Sequence, residues 1–172
     1  MKCDTLIETK GFIDYVVEYK NGKSYKVSFP NVVLITGRQA LAQVLTNTLG
    51  TCPSTNVSST TGQLVPSLYI NEMFFGSNGT DTGGTPLIVS PGRKTLFGPP
   101  TAVKPVNSYV SQAVATQANF TATLLYADAV SQNINEMALS MTNGNLYSMV
   151  TFPNIFKTAD MQITFNWSLN FI

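Results

Sequence analysis

The end of the chain carries an unbroken alternation of large apolar and polar side chains over residues 161–171. A β-strand points successive side chains to opposite faces of its sheet, so this pattern predicts a long strand with one buried and one solvated face. Burying six bulky side chains from one strand would make that strand the organiser of the core. The residues expected to do this are Phe165, Trp167, Leu169 and Phe171.

Two further regions favour strands. β-Forming residues before and after Asn21-Gly22 predict an N-terminal hairpin, because this dipeptide is typical of a tight hairpin turn. From residue 106 onward the chain alternates in the same way, and Asn143-Gly144 predicts a second hairpin. The sequence therefore predicts a mainly β fold, a β-sandwich for which a jelly roll is one form.

One segment favours a helix. Thr36 followed by Gln39 forms a potential capping box, and apolar residues at helical spacing predict a short α-helix over about 37–49. A long loop without periodicity follows over 50–67, and the proline-rich stretch 86–105 is expected to run extended over the surface. We expect a single β-rich domain over 1–172, in which 1–30 is a candidate hairpin arm.

Composition excludes several classes of site. There is no histidine, which removes Ser-His-Asp and Cys-His catalysis, and 11% of the residues are charged for a formal net charge of +1. Neither a nucleic-acid partner nor a membrane partner is expected, since no basic excess, signal peptide or long apolar segment is apparent. Cys3 and Cys52 are two free thiols or one disulfide, and they form no metal-ligand set. We expect no cofactor and no metal site.

Candidate chemical motifs are weak. Gly92-Arg93-Lys94-Thr95 lacks the glycine spacing of a phosphate-binding loop, and Asn78 with Asp81 lacks the spacing of a calcium loop. A hydrolase would depend on isolated acids such as Glu72, Asp128 or Glu136, without a second acid beside any of them. The chain is therefore expected not to be an enzyme.

A family resemblance rests on several motifs in order. The first motif is a Thr36-Gly37-Arg38 helix start within residues 34–42, and the second is a glycine-containing turn that follows a strand within 74–80. The third is the C-terminal part of the chain, where the segment 135–139, Phe152-Pro153 and Lys157-Thr158 precede the final strand within 164–171. In this order the chain resembles small virion structural proteins of tailed bacteriophages. The likeness spans about 31–172 and leaves the N-terminal hairpin outside.

This resemblance implies a virion structural protein, assembled in the host cytoplasm, with phage capsid or neighbouring virion proteins as its partners. The first expectation is a capsid decoration or cement protein that bridges neighbouring capsid subunits. The alternative is a neck, tail or fibre component that attaches a fibre or engages a host receptor. A homo-oligomer is expected, with a trimer as one form. From the hairpin and the proline-rich stretch, the expected assembly interface comprises Phe12, Tyr15, Tyr19, Arg93 and Lys94.

Overall fold

A computed structural model describes residues 9–38, 40, 69–110 and 116–171. These residues form two antiparallel sheets of five strands each. In chain order the strands are β1 Thr9–Tyr19, β2 Ser24–Pro30, β3 Val32–Val33, β4 Ile70–Gly76, β5 Ala102–Pro105, β6 Asn107–Val110, β7 Gln117–Leu124, β8 Gln132–Met141, β9 Leu146–Lys157 and β10 Met161–Phe171. Sheet A has the order β2-β1-β10-β7-β6, and sheet B has the order β3-β9-β8-β4-β5. The prediction of a mainly β, sandwich-like fold is confirmed.

Strand β10 lies at the centre of sheet A, as its sequence pattern indicates. It pairs with β1 over its whole length and with β7 on the other side. Burial alternates along β10, so Phe165 and Trp167 are fully buried, Leu169 is buried and Phe171 is half-buried. These side chains pack against the inner face of sheet B, where the ring centroids of Phe75 and Phe165 lie 4.8 Å apart. The core between the sheets therefore depends on the predicted strand.

The N-terminal hairpin forms, but it is not a separate arm. Gly22 adopts the positive φ of 82° that the turn requires, which favours glycine there. Strand β1 lies between β2 and β10, and Ile13 and Val17 are completely buried in the core. Because β1 supplies core residues and pairs with the central strand, the hairpin is an integral part of sheet A.

Sheet B is covered on both faces. One face packs on sheet A, and the other is covered by a second apolar cluster that joins the proline-rich stretch and the chain near residue 34 to the outward side chains of β8 and β9. The buried members of this cluster are Leu34, Val89, Leu96, Ala138, Leu146 and Met149. The proline-rich stretch thus covers sheet B with Val89 and Leu96 buried, rather than only crossing the surface. It ends in β5, an edge strand, as its prolines require.

The predicted helix starts earlier than expected. Residues 35–38 and 40 are helical, and the remainder of the predicted 37–49 segment lies outside the described residues. The hydroxyl of Thr36, predicted to cap the helix, instead donates to the carbonyl oxygen of Leu146 in β9. Cys3, Cys52 and the predicted loop 50–67 also lie outside the described residues. Among the helical residues that the structure describes, none belongs to a helix with the length and apolar character needed to cross a bilayer.

Candidate functional site

The outer face of sheet A over β7 and β10 carries a ladder of uncharged polar side chains. Four consecutive cross-strand pairs are hydrogen-bonded, and each residue in them is partly exposed. The pairs and their distances are Gln117–Asn170 at 3.0 Å, Asn119–Ser168 at 2.7 Å, Thr121–Asn166 at 3.0 Å and Thr123–Thr164 at 3.1 Å. We call these eight side chains the uncharged face. Its members fix one another in place, because each pair joins directly opposite residues of neighbouring strands.

Charged side chains border the uncharged face on its β1 and β2 side. Lys26 Nζ lies 2.8 Å from Asp14 Oδ2, and Gln162 donates to Glu18 at 2.6 Å. Hydrogen bonds from Lys26 and from the Ser28 hydroxyl hold the pKa of Asp14 below its ordinary value, with burial acting in the opposite direction. Asp14 is therefore an ionised partner of Lys26 at neutral pH.

The predicted interface residues are distributed over different parts of the molecule. Phe12 is 50% exposed on the outer face of sheet A, whereas Tyr15 is buried, with its ring centroid 5.7 Å from that of Phe165. Tyr19 is half-buried at the end of β1. Arg93 and Lys94 lie in the stretch that covers sheet B; Lys94 is exposed. The structure therefore does not bring these five residues together.

Arg93 is held within its own turn. Its guanidinium carbon lies 3.5 Å from the ring centroid of Phe97, and a guanidinium nitrogen donates to the carbonyl oxygen of Leu96 at 2.9 Å. The stacking geometry is that of a cation over an aromatic face. Arg93 thus stabilises the stretch over sheet B.

The acids considered for an enzyme have different roles. Glu136 is completely buried, and its carboxylate oxygens accept backbone N–H groups from Asn78 at 3.2 Å, Phe97 at 2.7 Å and Gly98 at 3.3 Å. Glu72 is half-buried on β4, where it pairs in register with Ser140 rather than with Glu136. The carboxylate of Glu136 therefore fixes two loops to β8, and no second carboxylate faces it among the described contacts.

Asn135, next to Glu136, fixes the same loop. Its side-chain oxygen accepts the N–H of Gly79 at 2.7 Å, and its amide nitrogen donates to Ser77 O, Thr80 Oγ1 and Asn154 Oδ1 at 2.7 to 3.0 Å. A β-bulge between β8 and β9 lies at this residue. Sequence reasoning missed this pair as a structural anchor, although a polar pair between the apolar residues Ile134 and Met137 was a usable signal.

A charged cluster at the end of β9 was also missed. Asp128 lies 2.6 Å from Lys104 and accepts the N–H of Leu125 at 2.7 Å. Burial raises the pKa of Asp128, but these hydrogen bonds outweigh it and the net shift is downward. Lys157 is completely buried and donates to two backbone carbonyls, of Tyr126 and Thr158. Burial lowers its pKa, against the opposing effect of nearby carboxylates.

The loop with Asn78 and Asp81 has the geometry of a turn. Asp81 Oδ1 accepts the N–H groups of Gly83 and Thr85 at 2.9 and 2.8 Å, which is the usual role of an aspartate in such a loop. Within the described ranges, no group of three or more His, Cys, Asp or Glu side chains is placed to hold a metal ion. The polar clusters outside the uncharged face are thus accounted for by loop anchoring and ion pairing.

Comparisons of the chain with protein-family models, with curated proteins and with solved structures found no match.

Proposed function

We propose that this chain is a structural protein of a tailed-bacteriophage virion that decorates or cements the capsid by bridging neighbouring capsid subunits. The observation that carries the proposal is the uncharged face. Its eight side chains span four successive pairs of β7 and β10 without a charged residue. Cores of protein interfaces are depleted in Lys, Glu and Asp, because charged groups are costly to remove from water. A face of hydroxyls and amides suits contact with a neighbouring subunit.

The rigidity of this face also supports an assembly role. It lies over the most buried strand of sheet A, whose inward side chains Phe165 and Trp167 are fully enclosed. The cross-strand hydrogen bonds fix the outward side chains before any partner arrives, so less conformational entropy is lost on binding. The roles of Glu136 and Asn135 as loop anchors are consistent with a protein whose polar groups maintain shape.

A neck, tail or fibre component is the second candidate, and the same face favours it. Asn, Gln, Ser and Thr side chains supply the donors and acceptors that recognise the hydroxyls of a carbohydrate receptor. The two candidates differ in stoichiometry. A cement protein is required at every capsid site, whereas a tail part is present in few copies.

Copy number in purified particles tests the proposal. We expect quantitative gels of the virions to give on the order of hundreds of copies per particle, as one copy per capsid subunit or per symmetry position requires. About tens of copies or fewer would favour the neck, tail or fibre alternative. Absence of the chain from purified particles would contradict both.

A charge placed on the uncharged face tests its role. Thr164→Lys adds a positive charge in the end pair of the ladder, whereas Thr82→Lys makes the same substitution in an exposed loop. Thr164→Lys should abolish binding to particles that lack the protein, and Thr82→Lys should leave binding unchanged. Equal binding by both folded variants would contradict an interface on this face.

A further inference from the structure

We propose that two copies of this chain pair antiparallel through the free edges of β2, so that their A sheets join across a two-fold axis. This interface deepens the proposed assembly function by naming a partner, a second copy. Strand β2 pairs with β1 on one side, and no strand among the described residues pairs with its outer edge. Antiparallel edges of this kind present unpaired backbone groups that can accept a further strand.

The register of the hairpin fixes which backbone groups point outward. Asn31 N–H donates to Gly11 O at one end of the hairpin, and Tyr19 N–H donates to Lys23 O at the other. Bonded and non-bonded pairs alternate in an antiparallel ladder, so residues 25, 27 and 29 bond to β1. The backbone groups of Ser24, Lys26 and Ser28, and the carbonyl of Pro30, therefore face away from the sheet.

The other sheet edges are less suited to pairing. β3 has two residues, and β5 has four, with a proline at its end and two more just before it. β6 also has four residues. β2 has seven residues, and its only proline is the last one. Its side chains are more exposed than those of β3 and β5. Among the four edges of the described sheets, β2 has the longest run of backbone donors and acceptors without a partner strand in the described ranges.

Charge distinguishes two neighbouring registers for two antiparallel copies. If Lys26 lies opposite Lys26 of the second copy, two like charges meet, which is destabilising. If Val27 lies opposite Val27 on the axis, Lys26 faces Ser28 of the second copy, whose hydroxyl is bonded to Asp14. Lys26 already pairs with Asp14 within its own chain, so this register places each lysine beside a second carboxylate. The charged side chains at the edge of β2 are thus complementary to those of a second copy.

The inward side of β2 gives a second match in the same register. Tyr25 is 43% exposed, and Val27 and Phe29 are partly exposed at the rim of the core. Pairing at Val27 sets Tyr25 opposite Phe29 of the second copy. Aromatic pairs directly across a ladder are favourable, and they would cover apolar surface that the single chain leaves open. One alignment therefore matches both the polar side chains on the outward side of β2 and the apolar side chains on its inward side.

Sedimentation of the purified full-length chain tests whether the dimer forms. We expect a concentration-dependent species of twice the 18.6 kDa chain mass. Ser28→Pro removes an outward N–H and leaves the backbone bonds to β1 in place, although it also removes the hydroxyl that donates to Asp14. It should raise the dimer dissociation constant about tenfold or more. Ser28→Thr keeps that N–H and should dimerise like wild type. Circular dichroism and the melting temperature verify folding of both variants.

Disulfide trapping tests the register independently. In a background with Cys3→Ser and Cys52→Ser, Val27→Cys should form a cross-linked dimer when oxidised glutathione is added, because non-bonded pairs bring the two Cα atoms to about 4.5 Å. Ser108→Cys on β6 is a matched control at another edge. It should cross-link much less. This readout also stands if Ser28→Pro does not fold.

Three results would overturn the interface. They are a monomer at all concentrations up to about 500 µM, a trimer, or a dimer in which Val27→Cys cross-links no better than Ser108→Cys. The test uses the purified chain alone, so its failure is distinct from failure of the virion role. A monomer that still binds particles contradicts only this interface, and a dimer that does not bind them contradicts only the proposed function.

Discussion

The carboxylate of Glu136 accepts the backbone N–H of Phe97 at 2.7 Å, although Glu136 is completely buried and the two residues lie 39 positions apart. The same carboxylate accepts two further N–H groups, from Asn78 and Gly98. A buried carboxylate requires such compensation, because removing it from water is costly. One acidic side chain thereby ties two loops to the outer face of sheet B.

Replacement of this acid should destabilise the fold. Glu136→Gln keeps the size of the side chain but replaces one acceptor oxygen by a donor facing backbone N–H groups, so we expect a loss of about 2 kcal/mol or more in the free energy of unfolding. Glu72→Gln is the matched control on the neighbouring strand and should cost less than about 1 kcal/mol. Urea denaturation measures the free energy of unfolding of both variants. Equal losses would refute the role of Glu136 as a loop anchor.

Glycine is required where the loop meets Asn135. A Cβ at Gly79 would lie 2.5 Å from the carbonyl oxygen of Asn135, and a strand carbonyl cannot move away easily. Gly79→Ala should therefore cost about 1 to 3 kcal/mol. Gly92→Ala introduces the same methyl group where no atom lies within 4 Å, and its stability should equal or exceed that of wild type. Thermal unfolding compares the pair; a neutral Gly79→Ala would be inconsistent with the close contact.

The inner face of β10 should dominate the core. Phe165→Ala removes a fully buried ring that contacts Phe75 in the opposite sheet, and large-to-small changes of this kind cost about 3 to 5 kcal/mol. Phe12→Ala removes a ring that is half exposed, so its cost should stay below about 1.5 kcal/mol. Denaturant titrations distinguish the two, and similar costs would mean that β10 does not organise the core.

Stability should fall at alkaline pH. Burial raises the pKa of Tyr15 and of Tyr147 to about 12 from 10.0. The unfolded chain releases these protons first, so the stabilisation is fully present below pH 10 and is lost as the pH rises from 10 to 12. Each tyrosine contributes at most about 1.4 kcal/mol per pH unit in that window.

Phenylalanine substitutions isolate this effect. The Tyr15→Phe, Tyr147→Phe double variant should lose less unfolding free energy between pH 9 and pH 11.5 than wild type does, with each single variant intermediate. Denaturation at several pH values measures the slopes. A double variant with an unchanged slope would assign the alkaline loss to other groups.

The sequence was most informative where one face of a strand is buried. Alternation over β10 predicted its position and burial, and Asn21-Gly22 predicted the first hairpin. In β8 the pattern is lost, because both faces of sheet B are covered and residues 134–141 are all buried. The covering stretch has no periodicity, so its buried Val89 and Leu96 could not be predicted from local pattern.

Long-range contacts explain the remaining differences. Tyr15 is predicted at the assembly interface from its place in the hairpin, yet Phe29, Phe152 and Phe165 enclose its ring. Glu136 carries the carboxyl group of a candidate catalytic acid. Its three N–H partners come from loops that are distant in the sequence. In each case the deciding neighbours come from other strands or loops, which no short window of sequence contains.

An electron cryomicroscopy map of the purified virion is the most direct test of an assembly role for the uncharged face. We predict density for the sandwich at repeated capsid positions, with Thr121, Asn166 and their neighbours on the ladder against an adjacent subunit. Particles in which the sandwich is present only in the tail would support the alternative location. Particles that lack it, or that leave β7 and β10 open to solvent in every copy, would contradict the account.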